Sequence, residues 1–340
     1  MSKVSKKLSR SSKDMNIKIK ELKYKKYDDL HESSLTLEFS GLDINTSIIN
    51  SIRRVSIDDI PMYAFPSELI KIEGNTSIFN NDYMRLRLSQ LPILKLDSGL
   101  DFLDRKYFNQ DLHFDDINYV KYEKEKLIEV YINSYNNTPE NINVTTNDIN
   151  YIEDGEPVTK YSTKFPILLC QLRPNETFKS HMKAALSTGH KSNLFAAASN
   201  TWYDDDDDKI TFTIESQGQL TEYQILEKSC KFILKKLNDF EDNFKEKLKE
   251  SPKYEKNLTV IFEFQNEDHT MGEILNNVFQ DHEKIIFSGL SKPSSLERLI
   301  KIKIASSAEN PLVYMLESID YLKNVYNGIL SEIKKLSKLI

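Results

Sequence analysis

Only two cysteines occur in 340 residues, Cys170 and Cys230. They lie far apart and form no CxxC pair, which excludes a disulfide framework and a thiolate zinc site and fits a reducing compartment. No apolar run approaches the roughly 20 residues that a membrane-spanning helix needs. The N-terminal stretch MSKVSKKLSRSSKDMNIKIK lacks the apolar centre of a signal peptide. A soluble, intracellular protein with no membrane partner is therefore expected. Glycine-rich phosphate loops, zinc-protease signatures and nucleophile motifs are also absent. Scattered histidines and aspartates do not make an active site, so no enzymatic role, cofactor or metal is expected. Charge excludes a further class: 46 Lys and Arg against 52 Asp and Glu leave a formal net charge of -6. Such a chain has no overall attraction to nucleic acid phosphates, although a local basic patch stays open.

What is present is a repeat. LTLEF followed by NTSIINSIRRVSIDDIPMYAF spans 35–65, and LTVIFEF followed by HTMGEILNNVFQDHEKIIFSG spans 258–289. Each copy is a β-rich run, a polar turn, an amphipathic helix and a second apolar run. In the first, Asn45 and Thr46 offer N-cap oxygens, Ile48, Ile49, Ile52 and Val55 fall at helical spacing, and Pro61 closes the unit. In the second, Asp268 or Thr270 is the N-cap, and Met271, Ile274, Leu275 and Val278 form the stripe. A long amphipathic helix follows each copy. One runs from Ile225 through Leu237 to Leu248 before Pro252, the other from Leu312 through Leu316, Ile319 and Tyr326 to Ile333. Each broad apolar face must be buried, and the halves offer each other that surface about a pseudo-two-fold axis.

The remaining segments differ in texture. Residues 1–14 are basic, serine-rich and almost devoid of apolar anchors, as in a mobile tail. Between about Ala64 and Trp202, short β-like runs alternate with Asn- and Asp-rich clusters such as NNTPENINVTTNDINYIEDGEP, the pattern of hairpins in an inserted domain. The run Asp204 to Asp208 invites a hard cation. Consecutive aspartates in an extended chain point to alternate sides and repel one another, so a solvated acidic loop is expected there instead.

The segments INSIRRVSIDDIPMYAF and IEGNTSIFNNDYMRLRLSQLPIL carry a resemblance to the third-largest subunit of eukaryotic RNA polymerase II and its archaeal D and bacterial α relatives. NEDHTMGEILNNVF, FSGLSKPSSLE and the closing helix resemble the small partner, the eleventh subunit or archaeal L, whose motif is Glu-Asp-His-Thr-Leu-Gly. CQLRPNETFKSHMKAALSTGHKSNLFAAASNTWY and FTIESQGQLTEYQILEKSCKFILKKL sit where the larger subunit returns into its dimerisation domain. The resemblance implies an α+β fold: two α-subunit-type dimerisation domains paired about a pseudo-two-fold axis, with a β-rich domain inserted in the first. Residues 15–60 and 205–250 would form the first, 61–204 the insertion, 251–256 the linker and 257–340 the second. Two polypeptides would be one here, as in large DNA viruses of eukaryotes. The location would then be virion and host cytoplasm, and otherwise the nucleus.

The function implied is that of a non-catalytic assembly platform of a multisubunit DNA-directed RNA polymerase. Its partners would be the large catalytic subunits, the second-largest most directly, and small subunits, with DNA or RNA met only through the complex. Arg53 and Arg54 match the family's arginines at that interface, and guanidinium forks suit carboxylates and carbonyls; by themselves they read as solvated helix-face residues. Asn50, Glu73, Asn75, Thr76, Asp82 and Arg87 follow the same assignment, and several could simply cap turns. Glu267, Asp268, His269, Thr270 and Gly272 form the second motif, expected with Ile274, Leu275, Leu316 and Ile319 to serve pairing of the halves. His269 is expected to be satisfied by neighbouring backbone, and Gly272 to allow close helix packing. The sequence departs from the family at Glu273, Asn276 and Pro293 to Glu297, and the cysteine-rich metal loop of some inserted domains is missing. A different class of reading is a regulatory nucleic-acid-binding protein on the same fold, with the basic tail as its contact.

Overall fold

The computed structural model describes residues 15–26, 33–115, 121–206, 209–250, 259–306 and 311–338. The basic tail, the 251–256 linker with Pro252, and Asp207 and Asp208 lie outside the described residues, as does the side chain of Leu248. Six helices occur among those described: α1 (Thr46–Asp58), α2 (Asn81–Ser89), α3 (Arg105–Phe108), α4 (Glu222–Glu250), α5 (His269–Gln280) and α6 (Pro311–Ser337).

An antiparallel sheet in the first half runs in the order Lys18–Lys25, Ser34–Ser40, Lys209–Ser216, Ala198–Asp206. Leu35, Leu37 and Phe39 alternate with half-exposed residues along the second strand, the period-two pattern of a sheet with one face in a core. A three-stranded sheet in the second half runs Thr259–Gln265, Leu299–Ser306, Ile285–Ser291. Its central strand sends Ile300, Ile302 and Ile304 inward. The same local chemistry starts both short helices. Asn45 Oδ1 accepts the Ile48 N–H at 3.0 Å, and Asp268 Oδ1 accepts the Thr270 N–H at 2.8 Å, so these two residues, rather than Thr46 and Thr270, are the caps.

One hydrophobic core contains residues of both halves, including Ile52, Phe212, Leu237, Ile274, Ile319 and Tyr326. α4 and α6 pack along each other, and α1 touches both α4 and α5. Residues between Tyr63 and Leu186 build a separate core around Phe65, Met84, Val130, Leu172 and Phe178. Its sheet runs Ile70–Asn75, Thr177–Lys183, Ile128–Tyr135, Ile149–Glu153, Glu156–Pro157. The last two strands are joined through Asp154 and Gly155, both at positive φ (51° and 89°), as a two-residue hairpin turn requires.

The acidic run departs from expectation. Asp204, Asp205 and Asp206 continue the strand, opposite Thr211, Ile210 and Lys209, instead of forming a loop. The extended backbone sends neighbouring carboxylates to opposite faces, which relieves the repulsion that had argued for a loop. This strand begins at Ala198, so the first sheet takes up the chain ahead of residue 205.

The segment Thr188 to Lys191 is seated on the end of α1. The His190 N–H donates to the Asp58 carbonyl at 3.2 Å, and a Cβ on Gly189 would lie 2.3 Å from the Ile57 oxygen and 2.9 Å from Asp58 Cα. Both obstacles are backbone and cannot rotate away. Gly189→Ala is therefore expected to destabilise the chain by about 1–3 kcal/mol, the usual cost of overpacking, read as a lowered urea midpoint. Gly99→Ala, where nothing lies within 4 Å but φ is +70°, should cost less.

Candidate subunit interface

Charged and polar side chains cross between the halves at the margin of the shared core. Arg54 on α1 donates through Nε to Thr270 Oγ1 at 2.7 Å and through Nη2 to Asp268 Oδ2 at 3.3 Å. Arg298 approaches the same carboxylate oxygen at 3.6 Å, and its Nη1 lies 3.3 Å from His190 Nδ1. His190 Nε2 lies 2.9 Å from Asp59 Oδ1. With Arg298 donating to Nδ1, the ring donates from Nε2 to Asp59, so both ring nitrogens are used. Further crossings are Lys236 to Glu267 at 2.8 Å, Lys323 to Glu241, Asn277 to Ser47, and Tyr321 OH to Asp43 Oδ1 at 3.1 Å. Deeper in, Ser51 Oγ and Tyr326 OH are 2.6 Å apart and buried.

Two adjacent carboxylates respond oppositely to this setting. Burial pushes Asp268 upward, but the Thr270 hydrogen bonds and the Arg54 and Arg298 guanidiniums outweigh it and hold the carboxyl below its usual range. Burial dominates at Glu267 and raises it, in spite of Lys236. The thiols are held protonated by burial, Cys170 near 11 and Cys230 near 12. Among the described residues no group of three or more His, Cys, Asp or Glu could hold a metal ion, and no helix is long and apolar enough to cross a membrane.

The residues singled out in the sequence separate into several settings. Ile274, Leu275 and Ile319 are buried in the shared core, with Leu316 packed against it. His269, expected to be satisfied by neighbouring backbone, lies half-exposed with Glu273 3.9 Å away and has no backbone partner among the described residues. Gly272 makes its close approach within its own half, where a Cβ would meet Ile300 and Leu290 at 2.8 Å. The missing side chain serves the seating of α5 on its own sheet instead of the pairing. Arg54 is engaged inside the chain, whereas Arg53 donates to Asn50 Oδ1 within α1 at 2.9 Å. Asn75 holds its own turn through the Phe79 carbonyl and Asn81. The Thr76 N–H donates to the Thr177 carbonyl at 3.0 Å. Arg87 donates to the carbonyls of Leu169 and Leu168 at 2.6 and 2.9 Å. Glu73 is exposed, and Asp82 pairs with Arg85 at 2.9 Å.

One outward surface was not anticipated. α2 buries Met84 and Leu88 but exposes apolar residues on its other side: Phe79, just before the helix, stacks on Tyr83 with centroids 4.6 Å apart, and Leu86 is 60% exposed. Tyr83 and Leu86 join Leu91, Ile167 and Leu168 in a cleft of about 360 Å³. The signal was present in the sequence, since 79, 83 and 86 share one helical face opposite 84 and 88.

A family model described as the RNA polymerase Rpb3/Rpb11 dimerisation domain matches residues 38–237. The chain belongs to that family. A second model of the same description matches 259–332, so two such dimerisation domains occur in one polypeptide. The chain is similar to a protein of Acanthamoeba polyphaga mimivirus named as a DNA directed RNA polymerase subunit, at 28% identity over 354 residues that cover 97% of this chain and 99% of the relative. It is also similar to subunit 3B of DNA-directed RNA polymerases IV and V of Arabidopsis thaliana, at 35% identity over 77 residues, 23% of this chain and 20% of that protein. The crossings described above thus join the two dimerisation domains.

Asp268 sets a pH dependence with a definite sign. Its carboxyl lies below the unfolded value of about 3.9, so its stabilisation is complete above that pH and is lost as pH falls through the folded value. Urea unfolding should show stability dropping below about pH 4. Asp268→Asn, which retains a capping oxygen, should flatten that drop. Glu267 contributes in the opposite direction and cannot produce it.

Proposed function

We propose that this chain is a non-catalytic assembly platform of a multisubunit DNA-directed RNA polymerase, pairing its two halves within one polypeptide and docking the large catalytic subunits on its outer faces. The observation that carries the reading is the joining of two Rpb3/Rpb11-type dimerisation domains on a single core. In this reading 15–60 with 205–250 form one dimerisation domain, 61–204 carry the inserted domain and 257–340 form the other, with the strand Ala198–Asp206 at the end of the insertion returning into the first domain's sheet. A covalent connection turns their association into an intramolecular event at an effective concentration of order mM for a short flexible linker. Pairing then no longer depends on the supply of a second subunit.

Two surfaces are assigned to docking. One is the α1 face carrying Asn50 and Arg53, where a guanidinium already oriented by Asn50 can reach a partner's carboxylate or carbonyl. The other is the apolar side of α2, where Tyr83 and Leu86 beside a cleft provide the aromatic and aliphatic anchors typical of interface centres. Asp82, paired with Arg85 on the same helix, adds peripheral charge there.

Co-purification of the tagged full chain from its native source tests this. Wild type should retain both large catalytic subunits. Arg53→Glu and Leu86→Asp, each folded by circular dichroism, should lower that recovery at least about tenfold, since loss of an interface anchor costs 2 kcal/mol or more. Recovery of no large polymerase subunit with wild type would overturn the platform role. Salt-sensitive DNA binding by the purified chain, lost on deleting residues 1–13, would bring the nucleic-acid-binding reading forward.

A further inference from the structure

The helix starts define how the two halves correspond. With the N-caps Asn45 and Asp268 as equivalents, Ser47 matches Thr270, Ser51 matches Ile274 and Arg54 matches Asn277. The two contacts between α1 and α5 then exchange under the pseudo-two-fold: Arg54 donates to Thr270, and Asn277 donates to Ser47. Counted from their first described residues, Glu222 and Pro311, the long helices likewise match Leu234 with Lys323, Leu237 with Tyr326 and Glu241 with Leu330.

The axis relates positions but not chemistry. Arg54 and Asp268 form an ion pair, whereas the related positions hold Asn277 and Asn45. Ser51 and Tyr326 share a buried hydrogen bond, whereas the related positions hold Ile274 and Leu237, both in the core. Glu241 pairs with Lys323, whereas the related positions hold Leu330 and Leu234, both packed on that core. Each contact is polar on one side of the axis and neutral or apolar on the other.

We propose that these three one-sided contacts determine partner choice, so that each half selects the complementary half and rejects a second copy of itself. Pairing of two first halves would set Ser51 against Leu237, Arg54 against Asn45 and Glu241 against Leu234. Pairing of two second halves would set Tyr326 against Ile274, Asp268 against Asn277 and Lys323 against Leu330. Every such combination strips a charge or a buried hydroxyl of its partner across the axis; Glu241 is left with Lys245, Asp268 with Arg298 and Ser51 with the Ile48 carbonyl, all within their own halves, and removing one member of a buried polar pair is costly. The same residues therefore attract the right partner and penalise the wrong one. The inference rests on the pairing of the halves and not on the polymerase role.

Single substitutions in the full chain rebuild the mismatched contacts in place. Tyr326→Leu creates the serine–leucine contact of two first halves, Ser51→Ile creates the isoleucine–tyrosine contact of two second halves, and the double variant recreates the related pair at 274 and 237. Each single variant should shift the urea unfolding equilibrium about tenfold or more toward the unfolded state, within the coupling range of touching residues. The double variant should recover most of that loss. Tyr326→Phe with Ser51→Ala gives the same cycle with little change of volume, should the leucine variant not fold. Arg54→Asn and Asp268→Asn form an independent second cycle, with a smaller shift because Arg298 remains beside Asp268. Losses that simply add in both cycles would overturn the proposal. Recovery of large polymerase subunits is a separate readout, so failure of the platform reading leaves these couplings unchanged.

Discussion

Burial of α4 against α6 is the constraint on which the rest of the molecule depends. Both are long helices with one apolar side, and neither can hide that side within its own half. Leu237 and Ile233 on α4, and Tyr326, Ile329 and Ile333 on α6, are fully buried in the core that the two halves share. At about 1.5–3 kcal/mol for each large apolar side chain removed from water, this surface outweighs any single polar contact in the chain. α1 and α5 then fill the flank, each seated by its own N-cap and its own sheet.

The polar crossings add geometry more than energy. A hydrophobic stripe tolerates sliding and rotation, but Ser51 to Tyr326 and Arg54 to Asp268 and Thr270 are directional and tie particular turns together. The chain from Arg54 through Asp268, Arg298 and His190 to Asp59 extends that tie to the Thr188–Lys191 segment. The end of α1 is thereby held between the second half and that segment, and the outer face of the helix is presented in a fixed orientation. The proposed platform role calls for such rigidity, because any movement between the halves would move the surfaces they present.

Much of the architecture was legible in the sequence, and the reason is periodicity. The four apolar stripes, the alternating strands and the acceptors ahead of α1 and α5 depend on residue type at fixed spacing, which local geometry dictates. Legibility was poorer where a residue faces more than one environment. Tyr326 counts as apolar in a stripe, yet its hydroxyl reaches Ser51 across the axis. α2 carries apolar residues on both sides, so periodicity alone could not say which side remains in solvent. The aspartates of 204–206 carried opposing signals, alternation favouring a strand and repulsion a loop, and the pairing with Lys209–Ser216 decided between them.

The sequence by itself determined that two similar units share one chain, where their helices begin, which faces must be buried, and that the chain resembles the α-like polymerase subunits. Those properties reside in short stretches, where backbone geometry and side-chain type act together. Only the tertiary structure decided that Arg54 meets Asp268, that Gly272 closes onto its own sheet, and that one side of α2 stays open. Such contacts join residues from about twenty to more than two hundred positions apart, and no local pattern encodes which of several equivalent surfaces will meet.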